Sequence, residues 1–518
     1  MDYDAIVIGS GFGGAVSAAR LAEAGARTLV LERGRRWDRS NYPIRSGDWL
    51  WDQHDPAARN GWLDLRIFRH MAVAQGAAVG GGSHIYANVS AVPPRETFDL
   101  GWPPELTWDA LAPHYATVGE VMNVQMVPDG QWTNRMKLMK EAAEAIGADG
   151  RFRKLELAVS FDPDYHYGLE EPTALRHSRR FVNAHGVEQG TCVHLGDCDI
   201  GCDADAKNTL DRNYLAMAEA KGAEIRALHL VTAIAPEGAG YRVHFDEIGG
   251  RARRPGSLTA ERVVVAAGSL GSTELLLNCR DAAKTLPRIS PRLGRNWSSN
   301  GDFLTPAFHK DRRPEPSMGP TIGSAIDFLD RSEGGEAYWI QDGGFPDLVA
   351  GWIREGETAL PHVRRFMRGL RKALADTPTD RIMPWFAQGV DAADGRLSLR
   401  RRWWLFGRRQ LTLDWQIAKS QKMVEAIVAM HRRLAAATGG VPLIPPSWTH
   451  FKYLVTPHPL GGCNMGTGPG NGVVDHAGRV FGYPNLQVLD GAIVPEAVGV
   501  NPSRTIAALA ERAMAETV

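Results

Sequence analysis

The sequence predicts an α/β protein, α+β over its whole length, with a β–α–β unit on a parallel sheet joined to a unit built on a mainly antiparallel sheet with helices. Three observations predict this. A glycine turn, GSGFGG, sits between a strand pattern and a helix pattern within the first 25 residues. A second strand, small-residue turn and helix, ERVVVAAGSLGSTELLL, recurs at residues 261–277. Residues 302–450 carry no such loop, are rich in Trp and Phe, and cluster their charges.

Taken in order, Tyr3–Ile8 is a short apolar run, Gly9–Gly14 a glycine turn and Ala15–Ala24 an alanine-rich helix stopped by Gly25. Thr28–Glu32 is the next strand, which makes the unit parallel. Residues 75–89, QGAAVGGGSHIYANV, form a second glycine-dense stretch. Helical spacing follows over Trp108–Val121 and Asn134–Ile146, and residues 159–205 are irregular. A helix is expected from Leu210 to Lys221, ended by Gly222, and AEIRALHLVTAIAP splits into two short strands. Within 302–450 the clearest element is a long helix, Ala418–Ala437.

Length and charge bound the function. At 518 residues the chain can bury a large core and divide into two domains. Lys plus Arg and Asp plus Glu stand at 59 each, so no global field recruits nucleic acid or an anionic membrane. The N-terminus enters a strand at once, without a signal-peptide pattern, and no apolar run nears the roughly 18 residues of a membrane span. Five scattered cysteines, an odd number, fit a reducing compartment. A cytoplasmic location is the expectation.

The motifs narrow the chemistry. Gly9, Gly11 and Gly14 give G-x-G-x-x-G between strand and helix. The first permits the tight turn, the second lets a pyrophosphate approach the backbone, and the third lets helix and sheet pack closely. The helix N-terminus offers free N–H groups to phosphate. Glu32 ends the next strand, where a carboxylate can accept from a ribose diol, as in FAD or NAD. Gly80, Gly81 and Gly82 strip side chains from a second backbone run, which suits a planar ring better than NAD. Near the C-terminus Asp490 ends a strand and can bind the ribityl or pyrophosphate region, and a helix begins at Asn501–Pro502. In TPHPLGGCNMG, residues 456–466, His458 is by itself a working group, a metal ligand with Cys463, or a core histidine in a stiff turn.

GSGFGG with Glu32, VGGGS, VVVAAGSLGSTELLL, LGRNWSSNGDF, HPLGGC and LDGAIVP…GVNPSRTIAALAE occur in an order that resembles the glucose–methanol–choline (GMC) flavoprotein oxidoreductases. HPLGGC and GVNP most resemble the cholesterol-oxidase-like branch. The resemblance implies FAD in a Rossmann-like domain over 1–100, 200–301 and 456–518, with 101–199 and 302–455 forming the substrate domain. It implies that His458 is the catalytic histidine and Asn501 its amide partner. It extends the FAD set to Ser83, Asn88, Val231, Ala267, Gly268, Ser272, Gly491, Pro502 and Thr505. The implied reaction is oxidation of a bulky secondary alcohol, sterol-like, by hydride transfer to flavin N5, with dioxygen or another carrier as acceptor. Ser503 and Arg504 stand where bulkier apolar residues occur in sterol oxidases, which leaves open a sugar or secondary-metabolite alcohol. A non-catalytic flavin electron carrier is the reading from another class.

Other features weigh less. The double-bond-shifting acid of sterol oxidases has only Asp380 as its nearest candidate here, and a weak one. Cys192, Cys198 and Cys202 are spaced C-x5-C-x3-C, but an iron–sulfur cluster lacks a fourth ligand, and a structural loop is favoured. His84 reads as a packed histidine. LRRRWWLFGRRQLTL, residues 399–413, is a hairpin whose tip, Trp403–Phe406, packs on the body or makes a weak contact with a membrane surface. Packing on the body is favoured. Vesicle co-sedimentation unchanged by Trp403→Ser plus Trp404→Ser is therefore the expected result, and a loss of sedimentation would establish the membrane contact.

Overall fold

The protein is described by a computed structural model covering residues 1–42, 49–99, 101–250, 252–346, 378–401 and 409–518. The N-terminal unit is a strand Tyr3–Ile8, a helix Phe12–Glu23 and a strand Thr28–Leu31. The helix begins ahead of the alanine-rich run. Gly11 caps it in an extended conformation, so Phe12, Gly13 and Gly14 already form its first turn.

Tyr3–Ile8 lies between Thr28–Leu31 and the long strand Arg254–Val265, parallel to both. Glu224–Arg226 extends the sheet in parallel beyond Thr28–Leu31, and Leu486–Val488 adds to the far half of Arg254–Val265. The near half of that strand pairs antiparallel with Gly240–Glu247, which pairs with His229–Glu237. Nearly continuous Val, Ile and Leu in the parallel strands is the pattern of strands covered on both faces. Four parallel strands end on one edge, so Gly9, Glu32, Ala266 and Leu489–Asp490 follow them side by side. Open parallel sheets bind ligands at that edge.

Helix Phe12–Glu23 packs on Ser503–Ala515 and on Tyr214–Ala220. Buried Glu511 joins all three, accepting from Arg20 at 2.8 Å and from the Tyr214 hydroxyl at 2.6 Å. The helix expected over 210–221 is divided into a 3-10 turn, Leu210–Arg212, and a helix, Tyr214–Ala220. At the break, the Asn213 side chain donates to Thr209 O at 2.9 Å, offering the backbone a local alternative to the helix.

The second sheet is antiparallel throughout, in the order Gly440–Pro442, Phe303–His309, Ile382–Gly389, Tyr338–Asp342, Ser324–Phe328, Phe152–Lys154. Helix Ile417–Ala437 packs against it through Met423, Val424, Ile427 and Leu434, all buried. The arms of the basic hairpin pair as Arg396–Arg401 with Arg409–Asp414, and its tip, Trp403–Phe406, lies outside the described residues. Among the described residues no helix is long and apolar enough to cross a membrane.

A Cβ at Gly14 would stand 2.1 Å from Gly9 O, against backbone that the sheet holds in place. Gly14→Ala is expected to destabilise the protein by about 1–3 kcal/mol, measured by denaturant unfolding, because neither partner can move away.

Candidate active site

A cavity of about 870 Å³ runs from the ends of the parallel strands to the face of the antiparallel sheet. Of the residues predicted from sequence, Gly9, Gly11, Glu32, Gly81, Gly82, Val231, Ala267, Gly268, His458, Asp490, Gly491, Asn501 and Pro502 line it. The glycines differ in what replaces a side chain. At Gly9, φ is +94° and a Cβ would meet Ala266 O at 2.4 Å. At Gly11 and Gly82 no atom stands within 4 Å of where a Cβ would be, so these two leave bare backbone facing the cavity. A side chain there would fill the space that a phosphate or flat ring occupies.

Two carboxylates stand at this end. Glu32 is buried; its Oε2 accepts from Ser10 N at 3.0 Å and Ser10 Oγ at 2.7 Å, and its Oε1 from Gly34 N at 2.8 Å. Asp490 accepts from Gly268 N at 2.8 Å, Ser272 Oγ at 2.5 Å and Ala492 N at 2.7 Å, so it fixes the turn Gly491–Ile493 against helix Gly268–Leu277. Burial pushes its carboxyl up to about 6, with these three donors opposing.

At the other end His458 is held by Asp302. Its Nδ1 lies 2.8 Å from Asp302 Oδ1, and its backbone N donates to Thr456 Oγ1 at 2.9 Å. Thr456 Oγ1 is also 2.5 Å from Asp302 Oδ2. Asp302 is wholly buried, and burial raises its carboxyl despite His458 and Thr456. Asn501 Nδ2 stands 3.3 Å from His458 Nε2, and Gln341 Nε2 donates to Asn501 Oδ1 at 2.8 Å. This order sets the protons. Gln341 claims the amide oxygen, so Asn501 turns its N–H toward Nε2, which must accept; Nδ1 then carries the hydrogen and donates to Asp302. His458 therefore presents an Nε2 lone pair to the cavity beside an amide N–H. Asn501 is not a helix cap: Pro502 caps Ser503–Ala515, and no side chain caps that end.

Several predicted residues stand behind the cavity wall rather than in it. Gly14 lets the helix meet Gly9, and Gly80 turns the loop with φ +101°. Ser83 Oγ donates to Gly80 O, Ser272 Oγ holds Asp490, and Thr505 meets the Tyr115 hydroxyl. Asn88 is buried with φ +64°, its main-chain oxygen accepting from Ala158 N. Arg504 corrects an expectation. Its guanidinium turns away to Tyr115 O, Ser90 O and Glu156, so only Ser503 of that pair reaches the cavity. Asp380 is remote from the cavity and pairs with Arg313 at 3.4 Å. Gly461 and Gly462 are closely packed, their missing side chains admitting Asn296 O and the Thr273 hydroxyl. Cys463 is buried 3.6 Å from Thr273 Oγ1. His84 is packed between Tyr42, Val79 O and Asp211. No group of metal-binding side chains occurs among the described residues. Asp302 and Gln341 were not foreseen: Asp302 lies within the run LGRNWSSNGDF, next to its last residue, whereas Gln341 lies in a buried strand, YWIQD, with no motif around it.

The sequence profile described as GMC oxidoreductase matches residues 392–510, and an NAD(P)-binding Rossmann-like domain matches residues 7–37. A cholesterol oxidase of Acinetobacter baumannii is 31% identical over 99% of this chain and 94% of its own, and one of Mycobacterium tuberculosis is 32% identical over 99% and 90%. Pyridoxine 4-oxidase from Mesorbium loti shares the fold with a TM-score of 0.63 at 18% identity, covering 99% of this chain and 98% of that one. The chain belongs to the GMC oxidoreductase family, in its cholesterol-oxidase-like branch. It is an FAD-dependent oxidoreductase acting on CH–OH donors. The bare backbone at Gly11 and Gly82 fits that cofactor.

Asp490 gives a pH test with a definite sign. Its folded value, about 6, lies above the ordinary aspartate value, so the fold binds the proton more tightly and the stability it contributes is lost as pH rises through 6. Relative to Asp490→Asn, flavin-free wild type should gain about 1 kcal/mol on going from pH 7 to pH 5, read by denaturant unfolding at each pH.

Proposed function

We propose that the protein oxidises a bulky secondary alcohol, sterol-like, to a ketone, with His458 and Asn501 handling the hydroxyl. The observation that carries this reading is the chain Asp302–His458–Asn501–Gln341, which sets the acceptor His458 Nε2 and the Asn501 amide N–H side by side at the cavity wall. Leu304, Ile322, Phe345 and Phe386 line the same cavity, and the Phe386 ring centroid is 6.3 Å from that of His458. Apolar walls of this kind suit a hydrocarbon skeleton and exclude water from the reacting carbon.

In this mechanism the alcohol hydroxyl replaces the direct Asn501 contact at His458 Nε2, donating to Nε2 and accepting from Asn501 Nδ2. The bound flavin supplies the hydride acceptor at N5. As the C–H bond breaks, His458 takes the hydroxyl proton and Asp302 stabilises the imidazolium without itself moving a proton. Gln341 keeps the Asn501 amide from flipping, so the oxygen receives a donor rather than a second acceptor. The proposal assigns FAD to residues 1–100, 200–301 and 456–518 and the substrate to 101–199 and 302–455, with Glu32 on the ribose. It keeps dioxygen or another carrier as acceptor and a cytoplasmic location. The names of the two bacterial relatives support a sterol, and the turning away of Arg504 removes the main argument for a sugar.

His458→Ala or Asn501→Ala should leave flavin absorbance intact and slow anaerobic flavin reduction by alcohol at least about 100-fold. Reduction near the wild-type rate in either variant refutes the assignment. Asp302→Ala should slow the same step by about 10-fold or more with little change in KM, since it acts through His458.

A further inference from the structure

Asp199 is a carboxylate that the mechanism above does not use. It lines the cavity on the loop between Cys198 and Ile200, within reach of the charge of Arg135, whose guanidinium donates to Thr321 O and Gly343 O. Among the described residues its side chain makes no hydrogen bond and no ion pair, unlike Glu32 and Asp490, whose oxygens are taken by protein donors. Two cations stand near enough to act on it, and both are committed elsewhere. Lys207 donates to His84 O at 2.8 Å and to Cys198 O. Arg135, wholly buried, spends its guanidinium on the carbonyls of Met318, Pro320, Thr321, Asp342 and Gly343. Burial pushes the Asp199 carboxyl up to about 6, with Lys207 and Arg135 opposing.

The position of Asp199 along the cavity follows from the strand Tyr338–Asp342. Gln341 marks the Asn501 end. Gly343, which shares the Arg135 clamp with Thr321, lies two residues further on, on the order of 7 Å at about 3.3 Å per residue. Between the two ends the walls are apolar, with Phe386 and Ile322 among them. Asp199 is partly exposed to the cavity, and its open lone pairs there can accept from a donor that a ligand brings.

We propose that Asp199 is a second polar anchor of the substrate cavity, accepting a hydrogen bond from a hydroxyl or ammonium group on the alcohol at the end remote from the carbinol. The preferred substrate is then a bulky alcohol with an apolar middle and a second donor, not a monohydroxy compound. This rests on the alcohol-oxidising reading and narrows it to a substrate class.

The test uses the holoenzyme and three steroids that differ at one position: a 3-hydroxysteroid with no ring-D substituent, the matching 3,17-diol, and the matching 17-amine. Each is titrated against the flavin absorption spectrum for Kd and assayed for kcat/KM. Wild type should prefer the diol or the amine over the monohydroxy compound by roughly 10- to 100-fold, the range for a hydrogen bond to a charged group. Asp199→Ala should bring that preference to within about two-fold through KM and Kd, with kcat and flavin content unchanged, and Asp199→Asn, which keeps one acceptor, should retain part of it. The hydroxyl and amine arms tell which donor is favoured. No preference in wild type, an equal loss for all three compounds in Asp199→Ala, or loss of flavin from that variant overturns the anchor. If no steroid is oxidised, the alcohol-oxidising reading fails, while the Kd ratios still decide the anchor.

Discussion

The carboxylate of Asp302 meets His458 Nδ1 at 2.8 Å in a place from which water is excluded, and the chemistry of the site is arranged around that contact. Asp302 begins the segment that enters the antiparallel sheet, and His458 lies in the stretch that returns to the dinucleotide end, so one interaction ties the two sheets together. Removing a carboxylate from water costs several kcal/mol unless donors replace it. Thr456 and His458 are those donors, and the same contact selects the His458 tautomer that exposes an acceptor. Stability and chemistry here share one set of hydrogen bonds.

At the opposite end the requirement is reversed, since the backbone itself must approach a ligand. Gly11 and Gly82 leave open space, whereas Gly9 and Gly14 let protein meet protein within van der Waals limits. Asp490 joins these ends. By accepting from Gly268, Ser272 and Ala492 it locks the Gly491–Ile493 turn beside the glycine turn of the second strand–helix unit. The chain beyond it reaches Asn501 within 11 residues of Asp490. The helix that follows is anchored by Glu511 to Arg20 and Tyr214, so Asn501 is presented from a rigid body rather than a free loop.

Local rules made much of this legible. A strand that runs into G-x-G-x-x-G and a helix has few alternatives, and the parallel unit is formed by residues within about 30 positions of one another. The long helix Ile417–Ala437 differs from its expected start by one residue, because 3.6-residue periodicity over many turns is a strong signal. The division of 210–221 at Asn213 was not legible, since a single side chain competing for one carbonyl leaves no periodic trace. Sequence order brought His458 and Asn501 forward through HPLGGC and GVNP. The resemblance also named Asn501 as the partner of His458; that Asn501 does not cap its helix only the fold decides.

What the sequence by itself determined is the parallel β–α–β unit, the glycine turns and the family, and it brought His458 and Asn501 forward as candidates, because each is written in neighbouring positions. What only the tertiary structure decided is which side chains serve those two. Asp302 lies 156 residues before His458, Gln341 lies 160 before Asn501, and Arg504, one position from a cavity residue, faces the opposite way. Partnerships across such separations depend on how two sheets pack and where each strand ends, and no local pattern encodes that.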